Sequence, residues 1–205
     1  GKTTTLKPVV DLHKEAGYQV WGMAPSAVAA TQLGEDTGCY SDTISHYAFY
    51  WKKHEEAVVL LKESTTAAEA KAAQKAIDKY AGYLPDNRTL IIVDEAGMVG
   101  SGDLDGNIPG GWDALAKVID FTGAKLILTG DDHQLKPIES GDFWRWLVHR
   151  LRGTSQLSEL TEIKRQNIPW MCKASHNLSE FNVATALGMY ENNGHIHAHS
   201  LNADV

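Results

Sequence analysis

The chain has 205 residues, 43% hydrophobic and 22% charged, enough to bury one substantial core and part of a second. Its net charge of -7 excludes a general basic nucleic-acid coat, though not a local positive groove. No apolar stretch approaches the roughly 20 residues that cross a bilayer, the first residues lack a signal-peptide pattern, and Cys39 and Cys172 fit neither a disulfide framework nor a zinc spacing. The expectation is a cytoplasmic chain with no membrane partner.

The chain opens on GKTTTL, the second half of a phosphate-binding loop. In that reading Gly1 allows close backbone approach, Lys2 reaches the β- and γ-phosphates, and Thr3, with Thr4 beside it, sets a hydroxyl on Mg²⁺. Alone the signal is weak, because Gly-Lys-Thr is also a plausible helix start. A helical pattern covers 3–16, an apolar strand 18–25 and a second helix 27–34. Tyr47, Phe49, Tyr50 and Trp51 follow at helical spacing, where a core role outweighs base stacking. The stretch 54–84 reads as helical, and its alanine- and lysine-rich part from 67 to 80 favours helix strongly.

LIIVDEAGMVG then supplies a buried strand over 89–96 with Asp94 and Glu95 at its tip. A carboxylate there can hold the metal shell while its neighbour polarises an attacking water. A helix start that favours negative charge is the bland alternative. A further strand over 124–132 runs into Gly130, Asp131 and Gln134. It delivers an amide that can bond both a terminal phosphate and a water, which suits a motor better than a small kinase. FWRWLVHR, 143–150, reads as an amphipathic helix whose two tryptophans pack inward and whose arginines face water. LTEIKRQ brings Arg165, which can neutralise transition-state charge on a phosphate, although a lone surface arginine is the commoner case. HIHAH sets His195, His197 and His199 on one face of a strand, yet no acid or cysteine accompanies them, so a metal site is disfavoured. Strands alternating with helices predict a parallel sheet flanked by helices, with ligands beyond the carboxyl ends of the strands.

In order, GKTT, APSAVAATQL, TISHYAF, VDEAGMVG, TGDDHQLKPI and LTEIKRQ resemble successive motifs of superfamily-one helicases of the RecD-like branch. Within it, APSAVAATQLGEDTG, RQNIPWMCKAS and ALGMYENNGHIH are closer to the conjugative relaxase-helicases of the TraA, TraI and TrwC kind. The resemblance covers nearly the whole chain. It implies a RecA-like P-loop NTPase, an α/β fold, that couples hydrolysis of ATP with Mg²⁺ to movement along single-stranded DNA. Gly1, Lys2, Thr3, Thr4, Asp94 and Gly130 would bind the nucleotide, with Thr3 and Asp94 on the Mg²⁺. Glu95, Gln134 and Arg165 would be catalytic. Ser26, Thr43 and His46 would line the DNA path, by way of 25–31 and 43–46. Residues 1–155 would form the first motor lobe, with a helical insertion near 52–84, and 156–205 the start of the second.

Two departures carry their own expectations. The glycine-rich half of the phosphate loop is missing before Gly1, and the later motifs of the second lobe are missing after Val205. The expectation is therefore a piece of a longer protein, at most a weak nucleotide binder by itself. Its partners would be the remaining polypeptide, including a relaxase domain, and other conjugation proteins. A RecD-like repair helicase and a noncatalytic nucleotide-binding or interaction module stand as the alternatives.

Overall fold

The computed structural model describes residues 2–101, 111–131, 142–160 and 167–196, with side chains from Thr4 onward. The chain divides into two compact units, Lys2–Ser158 and Glu159–Val205.

The first unit is the α/β arrangement that the alternation predicts. Its strands are β1 (Gln19–Ala24), β2 (Tyr40–Thr43), β3 (Thr89–Val93) and β4 (Lys125–Leu128), all parallel, in the order β2-β1-β3-β4. Every residue of β3 is buried. Because side chains alternate along a strand, β3 feeds two cores at once. Leu90 and Ile92 pack with Leu6 and Val10 of α1 (Lys2–Glu15) and Leu33 of α2 (Ala27–Thr37). Ile91 and Val93 pack on the other face, against Tyr47 and Trp51 of α3 (Ile44–Glu63), Leu115 of α5 (Gly111–Thr122) and Trp144 of α6 (Phe143–Leu151). The edge strand β4 is only half-buried, and Lys125 at its start is exposed.

Between β2 and β3 the chain forms an antiparallel helical arm, α3 packed on α4 (Ala67–Ala81). Thr66 starts α4 with a complete capping box. Its hydroxyl accepts from Glu69 N at 3.2 Å, while the Glu69 carboxylate accepts from Thr66 N at 3.1 Å. Within the arm Tyr47 and Trp51 are core residues, as the helical spacing predicts, whereas Phe49 is exposed and Tyr50 half-buried.

Helix α6 corrects one expectation. Trp144 is buried, but Trp146 is 58% exposed, so only one of the two tryptophans packs inward. Residues two apart on a helix point to nearly opposite sides and cannot both face one core. Trp146 stacks instead on Phe143, centroids 5.4 Å apart, and Phe143 leans on Trp112 at 4.8 Å.

In the second unit α7 (Pro169–Ser179) and α8 (Val183–Asn192) pack as a pair around Ala174 and Ala186, both fully buried. Trp170 meets Tyr190 edge-on at 5.3 Å and lies at the same distance from the His195 ring. His195 and Ile196 follow α8 without strand structure, and His197 and His199 lie outside the described residues. Among the described residues, no helix is long and apolar enough to cross a membrane, and neither Cys39 nor Cys172 is in a disulfide.

Candidate nucleotide site

A parallel sheet gathers the carboxyl ends of its strands along one rim. Ser26 lies just beyond β1, Thr43 ends β2, Asp94 and Glu95 follow β3, and Thr129, Gly130 and Asp131 follow β4. Helix α1 returns to the same rim. Only residues 16–18 separate it from β1, and Leu6 and Val10 pack along the sheet, so the helix runs antiparallel to the strands. Lys2 and Thr3 therefore fall in a first turn at the rim, where unsatisfied N–H groups and the helix dipole favour an anion. Thr4, in the same turn, is exposed.

The acids at the tip of β3 are held by the neighbouring strands. Register pairs Val93 with Leu128, so the next residues, Asp94 and Thr129, come opposite each other. The Thr129 hydroxyl donates to Asp94 Oδ1, which also accepts from Glu95 N at 2.9 Å. Asp94 N donates to Met23 O at 2.9 Å, tying the same residue to β1. Asp94 Oδ2 accepts no hydrogen bond from any described residue. Among the described residues, one oxygen is thus fixed and the other accepts nothing, an arrangement compatible with a metal-shell carboxylate.

Glu95 adopts the left-handed backbone region, φ 52° and ψ 40°, as the cap of a short 3-10 turn, Ala96–Met98. Ala96 N donates to Thr129 O at 2.8 Å, so the β4 tip also fixes this bend. Under the rim, Gly97 and Gly130 meet against the Trp144 indole. A Cβ on Gly130 would come within 2.8 Å of that ring and 3.0 Å of Gly97 N. Gly130 therefore has a packing reason to be glycine whatever it binds. Sequence reasoning missed Thr129 and Trp144. Counting register outward from the aligned apolar runs would have found Thr129.

At the β1 and β2 ends, the three residues expected on a DNA path serve local structure. Ser26 Oγ caps α2 by accepting from Ala29 N at 3.2 Å, and Thr43 Oγ1 caps α3 by accepting from His46 N at 3.1 Å. Each hydroxyl keeps its own O–H for an outside acceptor. His46 Nδ1 lies 3.5 Å from Asp42 Oδ2, while its Nε2 and the neighbouring Tyr47 hydroxyl are buried without a hydrogen-bond partner among the described residues. Burial, with Tyr40 and Asp42 adding negative charge, pushes the Tyr47 hydroxyl far above the ordinary tyrosine range. Burial and then Asp42 raise Tyr40 likewise.

The structure thus brings the first turn of α1, Ser26, Thr43, Asp94, Glu95 and Gly130 to one edge of one sheet. Gly1, Gln134 and Arg165 lie outside the described residues, as do the side chains of Lys2 and Thr3.

Comparison with known proteins identifies relatives of the chain. Over all 205 residues the chain is 32% identical to conjugal transfer protein TraA of Agrobacterium fabrum and 32% identical to that of Rhizobium radiobacter, spanning 15% of the length of each. An ATP-dependent RecD2 DNA helicase of Deinococcus radiodurans is 29% identical over 141 residues, 69% of this chain and 15% of that protein. Both branches of the expected resemblance, conjugative and RecD-like, are therefore represented among its relatives. Residues 1–201 match the family described as AAA domain, and with nearly the whole length covered, the chain belongs to the AAA domain family.

Proposed function

We propose that this chain is motor sequence from an ATP-dependent DNA helicase of the conjugative relaxase kind, coupling ATP hydrolysis to movement along single-stranded DNA and unwinding during plasmid transfer. Family and relatives support a helicase-like nucleotide-binding domain. The observation that carries the finer reading is Asp94, anchored through Oδ1 and with no described donor on Oδ2, on the same sheet edge as the first turn of α1.

The residues present suit a magnesium nucleotide. Gly1, the first-turn N–H groups and Lys2 would take the phosphates, Thr3 and Asp94 the metal, and Thr4 and Gly130 would border them. When bound, Mg²⁺-ATP supplies the bond to be broken and a partly neutralised phosphate charge. Glu95 orients and polarises the attacking water, and its backbone bend aims it away from the path of β3. Gln134 reports phosphate occupancy to the DNA grip, and Arg165 stabilises the transition-state charge. Ser26, Thr43 and His46 meet the DNA at the ends of β1 and β2. In this reading 1–155 form the first lobe, carrying a helical insertion near 52–84, and 156–205 begin the second. The remaining polypeptide, a relaxase domain and other conjugation proteins are its cytoplasmic partners.

The test is single-strand-stimulated ATP hydrolysis in the parent polypeptide. Glu95→Gln is expected to retain nucleotide binding and to lose on the order of 100-fold or more in turnover. Turnover equal to the unaltered protein overturns the reading. The RecD2 relative favours one second reading, a repair helicase, which predicts a parent gene without a nicking domain upstream.

A further inference from the structure

We propose that the α3–α4 arm carries its own track for single-stranded nucleic acid, a ladder of aromatic rings leading to a row of lysines on the outer face of α4. The proposal goes beyond the motor reading, and rests on it only for the identity of the strand as DNA.

The ladder starts where β2 ends. His46, in the first turn of α3, lies 4.8 Å from the Tyr50 ring and 6.1 Å from Tyr83. Tyr50 and Tyr83 stack face to face, 3.9 Å apart and 9° from parallel, and Tyr80 follows at 5.9 Å from Tyr50. Lys79 Nζ sits 5.0 Å over the Tyr80 ring. These rings are half-buried, so part of each reaches solvent. They are also fixed in place, because the buried Trp51 donates its indole N–H to Tyr83 O at 2.7 Å. Rigid, partly exposed rings in series are what bases stack on without sequence preference.

From Lys79 the track continues along α4. Lys75 and Lys71 precede it at intervals of four residues, hence on one helix face at steps of about 6 Å. All three are exposed, on the side away from Ala73, which is buried against the arm. Some lysines of this unit are paired with carboxylates, Lys7 with Asp11, Lys53 with Glu56 and Lys117 with Glu55, while Lys14 and Lys125 lie at the far end of the sheet, donating to Gly38 O and sitting over the Tyr18 ring. On α4 the acids are already engaged. Glu69 closes the capping box, and Asp78 Oδ1 accepts from Gln74 at 2.8 Å. Lys71, Lys75 and Lys79 are exposed and form no ion pair among the described residues, and they outnumber the two acids of α4 in a chain of net charge -7. A row of three unpaired lysines complements a phosphate backbone, and the rings beside it select a strand whose bases are free to stack.

Fluorescence anisotropy of the intact chain with a labelled oligothymidylate, titrated across salt, tests the track. Charge reversal at all three positions, Lys71→Glu with Lys75→Glu and Lys79→Glu, is expected to weaken binding at least tenfold at low salt and to lower the slope of log K against log salt by about 2. Tyr50→Ala should weaken binding about tenfold and leave that slope unchanged, with Tyr50→Phe restoring it. Reversal of Lys14 and Lys125, at the amino ends of the strands, should change affinity less than twofold. Equal behaviour of the triple variant and this control overturns the proposal, as does tighter binding of blunt duplex than of oligothymidylate. A fluorescent ATP analogue separates the two readings. If the parent polypeptide fails to bind it while the lysine and ring variants of that polypeptide still lose the strand, the motor reading falls and the track stands. If it binds while those variants keep the strand, the track alone falls.

Discussion

The rim of the sheet and the helical arm are built by opposite means. The rim is fixed by contacts between residues far apart in sequence. Thr129 holds Asp94, Ala96 N reaches Thr129 O, Asp94 N reaches Met23 O, and two glycines close on the Trp144 indole. The arm is a pairing of two helices adjacent in sequence, α3 on α4 with Trp51 bonded to Tyr83 O, and adds bonds within a turn or two, the Thr66 and Glu69 box, the Lys53 and Glu56 pair, and Gln74 with Asp78. A site assembled from several strand ends has no slack, since each partner is placed by a different part of the core. A locally stabilised arm can vary in sequence while keeping its shape, which suits a surface that meets a flexible polymer.

That contrast breaks if substitutions in the two regions cost the same. The largest effect is expected beneath the rim, where Ile92 is completely buried in the central strand. Ile92→Ala should cost about 2–5 kcal/mol in urea unfolding. The half-exposed Val59 of the arm, changed to alanine, should cost well under half of that. Next comes Gly130→Ala, whose new methyl group meets the Trp144 ring at 2.8 Å. It should destabilise by about 1–3 kcal/mol and quench or shift tryptophan emission. Gly82→Ala ends the arm in ordinary right-handed backbone with nothing within 4 Å, and should be neutral or slightly stabilising in the same melt.

Below the Gly130 effect comes the arm's own cap. Thr66→Ala should remove about 1 kcal/mol, seen as reduced helical circular dichroism on warming. The smallest effect sharpens the comparison through pH. Backbone N–H groups of Thr65 and then Thr66 hold the Glu69 carboxyl below the ordinary glutamate range. A depressed pKa means that the folded arm prefers the ionised form. The stabilisation is therefore complete above the ordinary glutamate range and is lost as pH falls through the lowered value. Acid titration should fray α4 in the native chain, and Glu69→Gln should flatten that response.

Much of this was legible in the sequence because it follows from local pattern. The LIIV run could only be a strand buried on both faces, and the alanine-rich stretch after Thr66 could only be helix. The sheet edge was harder. Tyr40–Thr43 reads YSDT, four residues with no apolar run, and becomes a strand only because β1 offers it a partner. Trp146 misled because amphipathicity was read from composition rather than from angle around the helix. At the site, Asp94 and Glu95 stood out by type and position. Their support did not, since Thr129 and Trp144 matter only through register and packing between distant segments.

Glu95 has one more implication. Its left-handed main chain carries a penalty of about 1 kcal/mol for any residue with a side chain of this kind, which glycine escapes and asparagine feels less. A library randomised at position 95 and sorted only for heat tolerance should drift toward those two residues. If the proposed ATPase reading holds, a library of the parent polypeptide sorted for ATP hydrolysis should keep the carboxylate, so that position 95 alone would reveal which pressure had been applied.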